Sequence, residues 1–161
     1  MYHSYHLFIA PGKTTFAKSI YAACGGTGWG TREDSDGSTD DITHLSHDDY
    51  YKDLAHLPFE ERAKTNFDHP SALDTELLIQ HLKQLIEGKT AIVPRYDFKR
   101  HCRYQDGEVD DEGRTTGRVV ESKKVILVEG ILILSVKELA SLMDLKVFVV
   151  RAYIYSLQRY G

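Results

Sequence analysis

The stretch Val125-Ile126-Leu127-Val128 limits most sharply what this chain can fold into. Four consecutive apolar residues leave neither face of a strand suited to water, so the strand must be covered on both faces, as a central strand of a parallel sheet is. It runs directly into Glu129-Gly130, a carboxylate at the strand exit, where open α/β sheets place their chemistry. Further strands are expected at residues 7–10, 42–45, 91–93 (stopped by Pro94) and 145–150, the last one buried. A helix is expected over 14–23, with Phe16, Ala17, Ile20 and Tyr21 on one face. A second runs over 75–87, capped by Asp74, carrying Leu78, Leu82, Leu85 and Ile86 as its apolar stripe and closed by Gly88. Shorter helices fit residues 58–64 and 136–143, and one more begins within 153–160. Residues 24–41 have turn chemistry without apolar period. Residues 99–118 read as a loop or a weak hairpin, from which Val119-Val120 returns. Strand and helix alternate, which predicts an α/β fold with a parallel sheet and helices on both faces. At 161 residues and 42% hydrophobic content, the chain suits one domain.

Gly12-Lys13-Thr14-Thr15, between the first strand and the first helix, is the core of a phosphate-binding P-loop. The helix N-terminus offers unpaired N–H groups, Lys13 a mobile charge, and the Thr14 hydroxyl a ligand for Mg²⁺. The motif is incomplete, because Leu7 stands where its first Gly belongs and Pro11 lacks an N–H donor. On these residues alone, an ordinary helix start stays open beside the functional reading.

A net charge of -4 gives no basic field to attract nucleic acid or an anionic membrane, so any phosphate site must be local. The apolar run 125–134 is too short to span a bilayer, residues 1–6 do not resemble a secretory leader, and Cys24 and Cys102 lack metal-type spacing. A cytoplasmic protein is the expectation. His44, His47, Asp48 and Asp49 invite a metal-site reading through the His-x-x-His spacing, but no second ligand pair follows, which argues against zinc.

Phosphoryl transfer to an alcohol requires a phosphate cradle, a metal, and a carboxylate that accepts the hydroxyl proton. Lys13 with Thr14, Asp48 beyond the second strand, and Glu129 beyond the central one would converge on the same sheet edge. A solvated turn or helix cap explains Asp48 equally well, and a solvated strand end explains Glu129. Tyr50, Tyr51, Phe67, Tyr96 and Phe98 lie beside polar groups, which suits a pocket that stacks on a base and also suits ordinary packing.

Taken together, Gly12-Lys13-Thr14-Thr15, the run Ser46-His47-Asp48-Asp49-Tyr50-Tyr51-Lys52-Asp53-Leu54, Asn66-Phe67-Asp68-His69-Pro70, Tyr96-Asp97-Phe98 and Val128-Glu129-Gly130-Ile131-Leu132 resemble, in order and spacing, the uridine kinase (uridine–cytidine kinase) family of P-loop kinases. The resemblance covers roughly residues 8–149. It implies a P-loop kinase fold, ATP with Mg²⁺ as donor, and uridine or cytidine phosphorylated at the 5′ hydroxyl in pyrimidine salvage. By position, Asp48 matches the catalytic base and Asp68 the carboxylate that grips the ribose hydroxyls. Tyr51, Phe67, Tyr96 and His101 match the nucleoside pocket, and Arg103 lies in the same motif as a further substrate-binding candidate. Gly12, Lys13, Thr14 and Thr15 match the ATP phosphate site, with Lys13 also catalytic. Thr14 and Glu129 match the metal site.

The sequence departs from the family before Gly12 and after Val149. The expectation is therefore a single, partial domain with an altered P-loop and without the family's Arg-rich lid. A catalytically impaired relative that binds nucleoside or a partner subunit, and another small-molecule kinase of the same superfamily, are the alternatives. No nucleic-acid or membrane partner is expected, and a homo-oligomer is left open.

Overall fold

The computed structural model describes residues 5–9, 14–23, 41–105, 107–109, 113 and 116–148, without the side chains of 5–9 and 14–16. The expected loop at 24–41, except its last residue, and the helix beginning within 153–160 lie outside the described residues.

Among the described residues the central sheet has four parallel strands: β1 (Tyr5–Ile9), β2 (Ile42–Ser46), β7 (Val125–Glu129) and β8 (Leu145–Val147), in the order β2-β7-β1-β8. The Val125–Glu129 run is thus a central strand with a neighbour on each side. Its side chains alternate between two apolar layers. Leu127 meets Ala17 and Tyr21 of α1 (Thr14–Ala23), while Ile126 and Val128 meet Leu78, Leu82 and Leu85 of α3 (Thr75–Ile86) and Leu139 of α4 (Lys137–Ser141). Helices on both faces explain why the strand shows no polar alternation. Each fully buried leucine on α3 contributes about 1.5–3 kcal/mol of transfer free energy.

Helix α3 begins where Asp74 predicts, its carboxylate accepting from Leu77 N at 3.2 Å, and it ends before Gly88, whose φ of 79° a residue with a Cβ rarely adopts. Two small antiparallel pairs stand beside the sheet. They are β3 (Ala91–Pro94) with β6 (Gly117–Val120), and β4 (Tyr96–Asp97) with β5 (Cys102–Arg103). Pro94 does not stop β3 but is its last residue, opposite Gly117. A proline is accommodated at the end of a two-stranded ribbon, where no ladder has to continue through its nitrogen. Strand β8 is not buried as expected: Leu145 is 57% exposed, because β8 is an edge strand among the described residues. Helix α2 (Phe59–Arg62) is shorter than expected and buries no residue.

Candidate active site

Three strand ends meet at the carboxyl edge of the sheet, since Glu129 lies in register with Ile9 of β1 and Ser46 of β2. The turn His47–Tyr50 follows β2 immediately and carries Asp48 and Asp49 above this edge. Gly130 permits that approach. A Cβ there would lie 2.4 Å from the Cβ of His47, so the turn could not pack this closely on the end of β7. His47 is buried beneath, its Nε2 3.1 Å from Thr75 Oγ1, and burial holds its pKa down at about 4, so it is neutral at pH 7.

The acidic groups at this edge feel one another. Burial pushes the Asp49 carboxyl up to about 6, Arg118 and Arg95 pull it down, and Asp48 and Glu129 push it further up. Glu129 is buried and sits 3.5 Å from Nε2 of His44, whose ring packs edge-on to Tyr21. His44 and His47 therefore address different partners. Among the described residues no group of three or more His, Cys, Asp or Glu is arranged to hold a metal ion. That does not conflict with Mg²⁺, which needs only one or two protein carboxylates when phosphates and waters complete its shell. A buried Glu129 between the ends of β1 and β2 fits such a ligand in kind. Gly12 and Lys13 lie outside the described residues; Thr14 and Thr15 open α1, but their side chains lie outside the description too.

Beside the acidic edge is an aromatic cluster. Tyr51, at the end of the Asp48 turn, has ring centroids of Phe67, Tyr96 and Phe98 within 5.4, 5.2 and 6.2 Å. Phe67 stacks on His101 at 5.1 Å with 20° between planes, and Phe59 lies 5.9 Å from the same imidazole. A cleft of about 310 Å³ opens along Phe67, between Lys52, Leu54, Asn66 and His69. Burial raises the Tyr51 phenol pKa, and the charges of Asp48 and Asp68 raise it further, so both carboxylates act on this one hydroxyl. Asp68 itself is exposed. Tyr96 is buried, its hydroxyl has no hydrogen-bond partner in the described protein, and its pKa is pushed up to about 12, first by burial.

His101 adopts a φ of 52°, a left-handed conformation that costs a residue with a Cβ about 1–2 kcal/mol. The turn before it is stapled. Asp97 accepts from the backbone N–H of Lys99 and Arg100 at 2.8 and 3.1 Å, and from Arg100 Nε at 2.6 Å. Strain concentrated at a residue so firmly held is characteristic of ligand sites.

Of the residues expected from sequence, Asp48, Tyr51, Phe67, Asp68, Tyr96, His101 and Glu129 are distributed over this edge and its adjoining cluster. The Arg103 guanidinium is turned to backbone carbonyls and to Asp74. Sequence reading missed Phe59, and it gave Asp49 a role only in the discounted metal reading with His44, His47 and Asp48. Phe59 carries no motif signal, and the environment of Asp49 depends on Arg118 and Glu129, far along the chain.

A family model described as phosphoribulokinase / uridine kinase matches residues 9–157. A uridine kinase of Clostridium novyi is 47% identical over 138 residues, 86% of this chain and 55% of that protein. One from Streptococcus agalactiae is 49% identical over 108 residues, 67% of this chain and 47% of the relative. The chain thus spans about half the length of the curated relatives it matches. Among solved structures, one described as a possible uridine kinase from Bacillus stearothermophilus superposes with a TM-score of 0.62 at 20% identity, covering 94% of this chain and 73% of the other; at that identity it speaks for the fold alone. With the family model covering most of its length, the chain belongs to the phosphoribulokinase / uridine kinase family.

Proposed function

We propose that the chain is the catalytic part of a nucleoside kinase that transfers the γ-phosphoryl of ATP to the 5′ hydroxyl of uridine or cytidine, yielding UMP or CMP for pyrimidine salvage. The observation that carries this reading is the Tyr96 hydroxyl, buried and without a partner among the described residues, beside the rings of Tyr51 and Phe67. A buried orphan phenol costs about 1–3 kcal/mol, and a hydrogen-bonding ligand removes that cost.

The base lies among Tyr51, Phe67, Tyr96 and His101, and the neutral imidazole donates or accepts at the ring edge according to its tautomer. Asp68 accepts from the two ribose hydroxyls. That arrangement disfavours deoxyribose, which would leave a carboxylate lone pair unanswered. The sugar is thereby directed toward Asp48, whose carboxylate takes the 5′ proton as the 5′ oxygen bonds to the γ-phosphorus and the bond from that phosphorus to the ADP oxygen breaks. Gly12, Lys13, Thr14 and Thr15 hold the phosphates, with the first turn of α1 supplying N–H donors. Thr14 and Glu129 would hold Mg²⁺, and the bound ion would supply charge neutralisation at the phosphate oxygens. The free, buried Cys102 agrees with a reducing, cytoplasmic setting.

A coupled ADP-release assay with uridine and cytidine on the 161-residue chain tests the proposal. Nucleoside-dependent turnover, lost in both Lys13→Ala and Asp48→Asn, is the expected result. Turnover that survives those substitutions would remove Asp48 and Lys13 from the mechanism.

A further inference from the structure

Arg103 stands where three parts of the candidate pocket are joined. Its backbone pairs with Tyr96 across the β4–β5 ribbon, and it lies two residues beyond His101. Its side chain reaches a third segment: Nε donates to Tyr51 O at 2.9 Å, and Nη2 to Asp74 Oδ2 at 3.2 Å and to Tyr50 O at 3.4 Å. Asp74 is itself fixed from two sides. Its N–H donates to Tyr50 O at 2.7 Å, and its other carboxylate oxygen caps α3 at Leu77 N. The backbone N–H of Arg103 also donates to Asp53 Oδ1 at 3.1 Å, and the same oxygen accepts from Ala55 N. The Arg103 side chain is only 19% exposed, and its fork is directed at main-chain carbonyls and a helix cap.

We infer that Arg103 is a positioning residue that fixes the Asp48–Tyr51 turn against the ribbon carrying Tyr96 and His101, rather than a direct contact to substrate. The inference rests on the nucleoside-kinase reading above. A planar fork that spans two carbonyls and a carboxylate sets distance and angle together, which a lysine ammonium cannot do. Asp48 lies only three residues before Tyr51, so slack at the Tyr51 carbonyl is transmitted to the carboxylate that receives the proton. Displacement of a reacting group by about 1 Å is enough to lower a rate on the order of 100-fold.

The test compares Arg103→Lys and Asp74→Asn with the unaltered 161-residue chain; the second substitution keeps a capping oxygen while removing the charge opposite the guanidinium. The expected result is a kcat for uridine lower by about 10- to 100-fold in Arg103→Lys and by less in Asp74→Asn, with both KM values changed by less than about threefold. A raised uridine KM at unchanged kcat would make Arg103 a substrate contact and overturn the inference. So would a lowered unfolding temperature with kcat and KM both intact, which marks a structural staple alone. Amide hydrogen exchange across residues 48–55 gives a readout independent of turnover. It should quicken in both variants, and unchanged exchange there contradicts the clamp. Should the unaltered chain itself show no nucleoside turnover, the functional reading fails and the positioning role with it, while the exchange result still decides whether Arg103 clamps residues 48–55.

Discussion

The interior between the sheet and α3 and the aromatic cluster beside it share the Asp48 turn as a wall, yet they are built on opposite terms. The first is aliphatic and saturated: Leu45, Leu78, Leu82, Leu85 and Ile126 are fully buried, and the Tyr50 hydroxyl among them lies 3.1 Å from Nδ1 of His81. The second is made of rings. Phe59 and Phe98 are more than half exposed, Tyr96 buries a hydroxyl without a partner among the described residues, and His101 holds a left-handed backbone. The first region is closed by its own packing apart from Nδ1 of His47 at its edge, unpartnered among the described residues, and the second keeps an unmet hydrogen bond at Tyr96 that the proposed nucleoside would answer. Damage to the first should therefore be read in stability, and damage to the second in turnover and binding.

The largest expected effect breaks the second region without touching the first. Asp48→Asn should lower kcat by about 10²- to 10⁴-fold, while urea unfolding moves by no more than about 0.5 kcal/mol, because the side chain is exposed. Gly130→Ala strikes at the join between the regions. The added Cβ would meet His47 Cβ at 2.4 Å and Ile133 Cγ2 at 2.9 Å, so a loss of about 1–3 kcal/mol in urea unfolding is expected.

A pH-dependent effect at the turn that the two regions share has two components of opposite sign. His47 titrates near 4 in the folded chain and near 6.5 when unfolded, so the unfolded state binds the extra proton between those values. Its contribution is therefore lost as pH falls from about 6.5 to 4, by at most ~3 kcal/mol. Asp49 acts oppositely: its raised pKa makes the folded state bind the extra proton, and its contribution grows as pH falls from about 6 toward 3.8. Stability of His47→Gln measured against pH should lack the acid-side loss and keep the Asp49 gain. An unchanged slope would show that His47 is not the group responsible.

The saturated region was legible in the sequence because its signals are local. Continuous apolar residues at Val125–Val128 and the Asp74 cap each need only a few neighbours, and both appear as expected. The position of Asp48 at the sheet edge followed from the strand-exit pattern, whereas the pocket roles of Tyr51 and Tyr96 followed from the family resemblance. What was not legible depends on residues distant in sequence. Leu145 looks like a core residue until β8 proves to be an edge strand, and Arg103 reveals its carbonyl partners only when residues 50, 51 and 74 are brought to it. The left-handed backbone of His101 also has no composition signal, since it is imposed by the stapled turn before it.

Tyr96→Phe tests most directly whether the aromatic cluster is built for a ligand. Removing an oxygen that has no partner among the described residues should leave the ligand-free chain as stable as before or more stable by about 1 kcal/mol. The same variant should bind uridine about tenfold more weakly by calorimetric titration. A variant that is less stable and binds uridine as tightly as the unaltered chain would contradict the account, because the hydroxyl would then serve the fold and not the nucleoside.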